Sequence, residues 1–118
     1  EIVKSRIDAV AADVMSETGQ KLEYRFGVMV ETPRAALRAG DIATHASFLS
    51  FGTNDMTQMT YGLSRDDAGR FMSEYVNQGV FAEDPFLALD QDGVGELLAI
   101  ASERGRQVRS KLTLWRRP

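Results

Sequence analysis

The chain has 118 residues, 43% of them hydrophobic and 26% charged, the proportions of one ordinary folded domain that is neither disordered nor membranous. Lys and Arg total 14 against 17 Asp and Glu, for a formal net charge of -3, and no long basic run offers a footprint for nucleic acid. Cysteine is absent, which excludes a disulfide framework, a thiolate metal site and a catalytic thiol within these residues. The start, Glu1-Ile2-Val3-Lys4, lacks the pattern of a signal peptide, and no apolar stretch approaches about 18 residues. A cytoplasmic location, with no nucleic-acid or membrane partner, is the expectation.

Val3, Ile7, Val10 and Val14 recur at helical spacing over residues 1–18, with Gly19 available as the stop. Tyr24 to Val30 is short and rich in aromatic and β-branched residues, which predicts a strand buried on both faces, as in a parallel sheet. Thr32-Pro33 then supplies an N-cap and a proline for the first helical position, and Ala35 to Ala43 continues a helix expected to stop near His45 or Ala46. Phe48-Leu49-Ser50-Phe51 reads as a second strand, followed by turn chemistry at Gly52-Thr53-Asn54-Asp55.

From Met56 to Gly93 no long period is present, and a stretch of that length must contain local structure or function. Two short helices are predicted, one over 69–78 with Phe71, Met72 and Tyr75 on one face, and one begun by Asp84-Pro85. Val94, Leu97, Leu98, Ala101, Gly105 and Val108 mark a closing helix, with Arg104, Arg106 and Arg109 near its end, where cations suit the dipole. Leu112-Thr113-Leu114 begins a third strand that is expected to stop at Trp115-Arg116-Arg117-Pro118. Alternating strands and helices without a repeat or an internal boundary predict an α/β fold with parallel strands.

Parallel strands joined by a crossover helix end on the same edge of the sheet, about 4.8 Å apart when adjacent. Glu31 follows the first strand directly and Asp55 follows the second by a few residues, so if the strands are neighbours both carboxylates converge on the edge where α/β folds build sites. Two carboxylates with room for water and substrate oxygens suit Mg²⁺. The backbone N–H groups of Thr53, Asn54 and Asp55 could form a concave donor set for a carboxylate or phosphate. The same residues also have local readings: Glu31 as an acid favoured near a helix N-terminus, Asn54 and Asp55 as capping or turn residues. Spacing alone leaves both open.

The strings Gly27-Val28-Met29-Val30-Glu31-Thr32-Pro33-Arg34-Ala35-Ala36-Leu37 and Ser50-Phe51-Gly52-Thr53-Asn54-Asp55-Met56-Thr57-Gln58 resemble the phosphoenolpyruvate-utilising enzymes. That family shares a (β/α)₈ TIM barrel binding phosphoenolpyruvate or pyruvate. Its branches include a dikinase acting on pyruvate and phosphate, a phosphoenolpyruvate synthase, and the first enzyme of the sugar phosphotransferase system. Residues 60–71, Asp84-Pro85-Phe86 and 89–95 are similar to the dikinase branch. The other two branches, and a non-catalytic truncated interaction module, are the alternatives. The resemblance covers residues 1–112, so a partial barrel domain over 1–112 and a divergent end over 113–118 are expected.

By resemblance, Glu31 and Asp55 match the Mg²⁺ ligands, while Gly52, Thr53, Asn54 and Asp55 match the loop that contacts substrate. The family's Mg²⁺ holds pyruvate through its oxygens and stabilises the enolate that exchanges a phosphoryl group with a phosphohistidine on a swinging domain. The parent reaction so implied interconverts pyruvate, ATP and phosphate with phosphoenolpyruvate, AMP and diphosphate. Family members commonly dimerise through this barrel, so a homodimer is also implied.

A complete barrel takes about 250 residues, so this chain is expected to supply only later βα units, truncated before the last strand motif. The family's catalytic cysteine belongs to a Gly-rich motif after Leu112, which Trp115 to Pro118 replaces. No catalytic residue is therefore assigned, and the piece is expected to be inactive without the phosphohistidine and nucleotide-binding domains. His45, the single histidine, reads as a solvent-facing or helix-terminal residue. Asp90, Asp92 and Glu96 depart from calcium-loop spacing and read as capping residues. Arg65, Asp66 and Asp67 read as a solvated or inter-subunit loop, and Met56, Met59, Tyr61, Phe71, Met72 and Phe81 as packing positions.

Overall fold

The computed structural model describes residues 1–116, so Arg117 and Pro118 of the expected divergent end lie outside the described residues. Helix α1 spans Ile2–Thr18 and ends on Gly19, whose φ of 67° is the left-handed conformation that lets its N–H return to the Met15 carbonyl. Strand β1 covers Gly27–Val30, helices α2 and α3 cover Pro33–Leu37 and Ala39–Ala43, and strand β2 covers Phe48–Phe51. Helices α4, α5 and α6 follow at Thr53–Tyr61, Arg65–Ala68 and Met72–Asn77. A π-helical turn at Gln91–Gly95 leads into α7, Glu96–Val108, and strand β3 closes the described chain at Thr113–Arg116.

The three strands form one parallel sheet in the order β1-β2-β3. Registers run Gly27–Phe48–Thr113 at one end to Val30–Phe51–Arg116 at the other. Side chains alternate between the two faces, and among the described residues helices cover only one face. Val30, Leu49, Phe51 and Leu112 join Ala36, Ala39, Ala43, Val94 and Ala101 in the core, with Val28 and Leu114 packed against it. Small residues dominate the helical side because α3 and α7 approach closely: a Cβ on Gly105 would come 2.6 Å from a Leu112 methyl and 3.4 Å from one of Leu49. On the opposite face Met29 and Trp115 remain exposed. The expected burial of the first strand on both faces is thus corrected: among the described residues, β1 is an edge strand with one covered face.

Other expectations are corrected as well. β1 is shorter than Tyr24 to Val30: register pairing begins at Gly27, and Tyr24 and Arg25 before it are held through their side chains. The Tyr24 hydroxyl donates to Asp8 at 2.7 Å, and Arg25 reaches the Thr113 hydroxyl at 3.1 Å. Lys4 first, and then Tyr24, hold the Asp8 carboxyl below its ordinary range by hydrogen bonding. The helix expected from Thr32 to Ala46 is two helices broken at Arg38, whose φ and ψ of −108° and 19° leave the helical region. Its beginning matches expectation: Pro33 is the first residue, and the Thr32 hydroxyl accepts the Ala35 N–H at 3.2 Å.

Gly52 to Asp55 is not a free turn, since α4 begins at Thr53. Asp84-Pro85 does not open a helix; Asp84 accepts the Phe86 N–H at 2.8 Å in a local turn. The helix expected over 69–78 is confined to α6. The third strand continues through Trp115 and Arg116 instead of stopping there. His45 is exposed in the turn after α3, as expected. Asp90 caps the π turn, accepting the N–H groups of Gly93 and Val94 at 3.2 and 3.1 Å.

Helix α1 stands apart from this core. It contains no buried residue, and Ile2, Val3 and Val10 are 73%, 63% and 61% exposed. The Cα radius of gyration of 18.1 Å exceeds the roughly 13.5 Å expected of a compact chain of this length. Among the described residues, no helix is long and apolar enough to cross a membrane.

Leu49 is fully buried on the central strand, so Leu49→Ala is expected to lower unfolding free energy by about 2–5 kcal/mol. Thr32→Ala, which removes only a cap, is expected to cost about 1 kcal/mol. Urea unfolding followed by circular dichroism checks both; a Thr32 effect as large as that of Leu49 would contradict this core.

Candidate functional site

The site grows from the level ends of β1 and β2. Val30 and Phe51 are register partners, so the next residues, Glu31 and Gly52, leave the sheet side by side. The Gly52 N–H donates to the Val30 carbonyl at 3.1 Å, extending the ladder by one bond. Gly52 also accepts the Met56 N–H at 3.0 Å, the bond that starts α4. The backbone therefore turns from strand to helix within one residue.

Glycine at 52 is required by space and not by dihedral angle. Its φ is −90°, a value open to any residue. A Cβ there would lie 2.8 Å from Glu31 Cβ, 3.0 Å from its Oε2 and 3.3 Å from Met29 Sδ. The missing side chain thus leaves the room in which the half-buried Glu31 side chain rests against the strand-to-helix junction.

Asp55 sits in the first turn of α4 and is exposed. Glu31 and Asp55 together line one open cleft of about 610 Å³, with Thr32, Gln58, Met59, Gly62, Leu63 and Ser64 completing its wall. Thr53 and Asn54 do not line this cleft; they occupy the first turn of α4 beside it. Their N–H groups and that of Asp55 precede the first helical bond, and so belong to the donors that a helix leaves unpaired at its N-terminus. The donor set expected of a turn is instead supplied by the start of a helix, whose dipole adds to the attraction for an anion.

The chemistry of the donors fits Mg²⁺. Two carboxylates reach one cleft, both hard oxygen ligands, and the cleft leaves space for water and substrate oxygens. That is the protein share a Mg²⁺ site ordinarily uses, whereas Ca²⁺ takes six to eight oxygens. Among the described residues no group of three or more His, Cys, Asp or Glu gathers as a metal site.

Gln58 and the Leu63–Ser64 rim were not legible as site residues. Gln58 lies three positions after Asp55, and its amide donates to Asp55 Oδ1 at 3.3 Å while its carbonyl accepts the Arg65 N–H at 2.7 Å. The signal was the i, i+3 spacing, hidden by reading Gly52 to Asp55 as a turn. Behind the cleft Met56 is fully buried, whereas Met59 is exposed, so the methionines expected only to pack divide between core and cleft wall. At the far end of α4, burial raises the Tyr61 phenol pKa above its ordinary value, and the Asp90 charge raises it further.

Gly52→Ala is expected to drive Glu31 from its place and to cost about 1–3 kcal/mol by overpacking. The backbone conformation at 52 tolerates alanine, so this cost is steric. Unfolding midpoints, with the Glu31 amide resonance as a local probe, check it; an unchanged Glu31 signal would contradict the close approach.

The domain family described as PEP-utilising enzyme, PEP-binding domain, matches residues 1–110. The pyruvate, phosphate dikinase of Rhizobium meliloti (strain 1021) is 54% identical over 114 residues, which are 97% of this chain and 13% of that protein. The chloroplastic pyruvate, phosphate dikinase of Mesembryanthemum crystallinum is 55% identical over 108 residues, 92% of this chain and 11% of that protein. The pyruvate, phosphate dikinase of Giardia intestinalis is 47% identical over 114 residues, 97% of this chain and 13% of that protein. The chain therefore spans 11–13% of the length of these relatives. With a match to their PEP-binding domain across nearly all of its length, the chain belongs to the PEP-utilising enzymes.

Proposed function

We propose that the chain is part of a pyruvate, phosphate dikinase and carries the Mg²⁺ and enolate-binding loop of its phosphoenolpyruvate/pyruvate barrel. The observation that carries this reading is the meeting of Glu31 and Asp55 in one cleft at the C-terminal ends of adjacent parallel strands, where barrel enzymes build their active sites. One-sided helix coverage supports the barrel over a doubly wound sheet, in which helices would cover both faces. Met29, Ser50 and Trp115 are register partners on the uncovered face, the face that a closed barrel turns to its packed interior.

In this reading Glu31 and Asp55 hold the ion, and the first turn of α4, Thr53 to Asp55, orients the substrate carboxylate through its N–H groups. Gly52 keeps the junction narrow enough for Glu31 to face the cleft. A bound Mg²⁺ supplies Lewis-acid neutralisation of charge developing on the enolate oxygen. The phosphoryl group comes from a phosphohistidine domain charged at a nucleotide-binding domain, and the barrel pairs as a homodimer. Proton transfer at the enolate carbon has no group assigned to it among the 118 residues, and in this reading the overall reaction requires the phosphohistidine and nucleotide-binding domains. The overall reaction interconverts pyruvate, ATP and phosphate with phosphoenolpyruvate, AMP and diphosphate.

Calorimetric titration of oxalate, a planar mimic of enolpyruvate, tests the site. Binding is expected only with Mg²⁺ present, and Asp55→Ala, which removes a proposed ligand of the ion, is expected to weaken it by more than about tenfold, the low end for losing merely an outer partner of a ligand. Oxalate binding that ignores both the ion and Asp55 would overturn the assignment.

A further inference from the structure

Gln58 is held at both ends of its amide. The Arg65 N–H can only donate, so it fixes the carbonyl oxygen toward α5, at 2.7 Å. The Asp55 carboxylate accepts, so it takes the amide N–H at 3.3 Å. Both partners therefore enforce one orientation of a side chain that could otherwise flip. Among the described residues, this is the hydrogen bond that reaches the Asp55 side chain, and it engages Oδ1 alone.

We propose that Gln58 is a positioning residue for Asp55: anchored by the Arg65 N–H, it holds one carboxylate oxygen and thereby presents the other to a divalent cation in the cleft. The inference rests on the reading of Asp55 as a metal ligand. It adds a route by which the cleft's rim reaches the ion. The anchor sits at the first residue of α5, directly after Leu63 and Ser64, which line the cleft. A substrate that displaces this rim would move the Gln58 carbonyl, and with it the angle of the Asp55 carboxylate. A plain i, i+3 helix pair would add only about 0.2–0.5 kcal/mol to α4 and would have no effect on an ion.

The test uses Mn²⁺ alone, a stand-in for Mg²⁺ at oxygen ligands, with free Mn²⁺ counted by electron paramagnetic resonance. Gln58→Met keeps the length and helix propensity of the side chain and removes both hydrogen bonds. It is expected to weaken Mn²⁺ binding by about tenfold, the low end for losing an outer partner of a ligand, and to speed hydrogen exchange at the Arg65 amide. In the Asp55→Asn background the same change is expected to have no further effect on Mn²⁺, because Gln58 acts through that carboxylate. Gln58→Ala serves as a second variant, with circular dichroism reporting that each protein is folded. Equal weakening with and without Asp55, or unchanged Mn²⁺ affinity in a folded Gln58→Met, overturns the positioning role while leaving Asp55 a ligand. Absence of Mn²⁺ binding to the unaltered protein overturns the ligand reading and the inference together.

Discussion

The register between β1 and β2 is the constraint on which the rest depends. Because Val30 and Phe51 pair directly, the two chains leave the sheet at one level, and Glu31 and Gly52 must pass each other at contact distance. A slip of one residue would exchange the faces of every side chain on one strand. Val30 would then leave the core, and the residue opposite Glu31 would be Phe51 or Thr53, each carrying a side chain where the space holds none. The hydrophobic pattern that buries Val30, Leu49 and Phe51 therefore also fixes the spacing of the cleft. Core and site share one determinant.

The helices enforce that register from one side. α3 and α7 lie close to the sheet because Ala43, Ala101 and Gly105 present almost nothing to separate them. The Arg104 guanidinium donates to the Leu37 carbonyl at the end of α2, tying α7 to the crossover between β1 and β2. The π turn before α7 packs against α4, with Asp90 closing its first N–H groups. α4 is thus held at both ends, by Gly52 at the sheet and by the π turn near Tyr61. Asp55 rides on a helix whose position is set from two directions, although its own side chain is exposed.

Much of this was legible because local signals and global packing agree. The Phe48–Phe51 strand, the Thr32-Pro33 helix start and the Gly19 stop coincide with expectation, since apolar runs, capping chemistry and a left-handed glycine each act within a few residues. That Glu31 and Asp55 leave the sheet at one edge follows from parallel topology once β1 and β2 are neighbours, whereas spacing alone leaves the role of each open. The start of α4 was not legible, because Gly-Thr-Asn-Asp has the composition of a turn and only Met56 and Thr57 of the nine helical residues are buried. Its helical state comes from the junction with β2 and from packing at the π turn, both set by distant residues. Tyr24 and Arg25, expected in β1, are likewise held by distant partners, Asp8 and Thr113, 16 and 88 residues away. The apolar spacing of α1 agrees with its helical state, while its lack of any buried residue is a tertiary property that periodicity does not encode.

Magnitudes separate what α4 needs as a helix from what the cleft needs. An exposed acid in a first turn gains about 0.3–1 kcal/mol from the helix dipole, a role that Glu, or a capping Ser or Thr nearby, fills as well as Asp55. At the N-cap, Ser, Thr, Asp or Asn would hold a free N–H that glycine cannot, yet position 52 has no side-chain cap. Helix stability alone therefore selects against Gly52, by a few tenths of a kcal/mol. The 2.8 Å between its absent Cβ and that of Glu31 selects for it more strongly, since overpacking there costs about 1–3 kcal/mol. The balance falls on the side of the approach: α4 starts without a cap so that a carboxylate from the neighbouring strand can lie against its first turn.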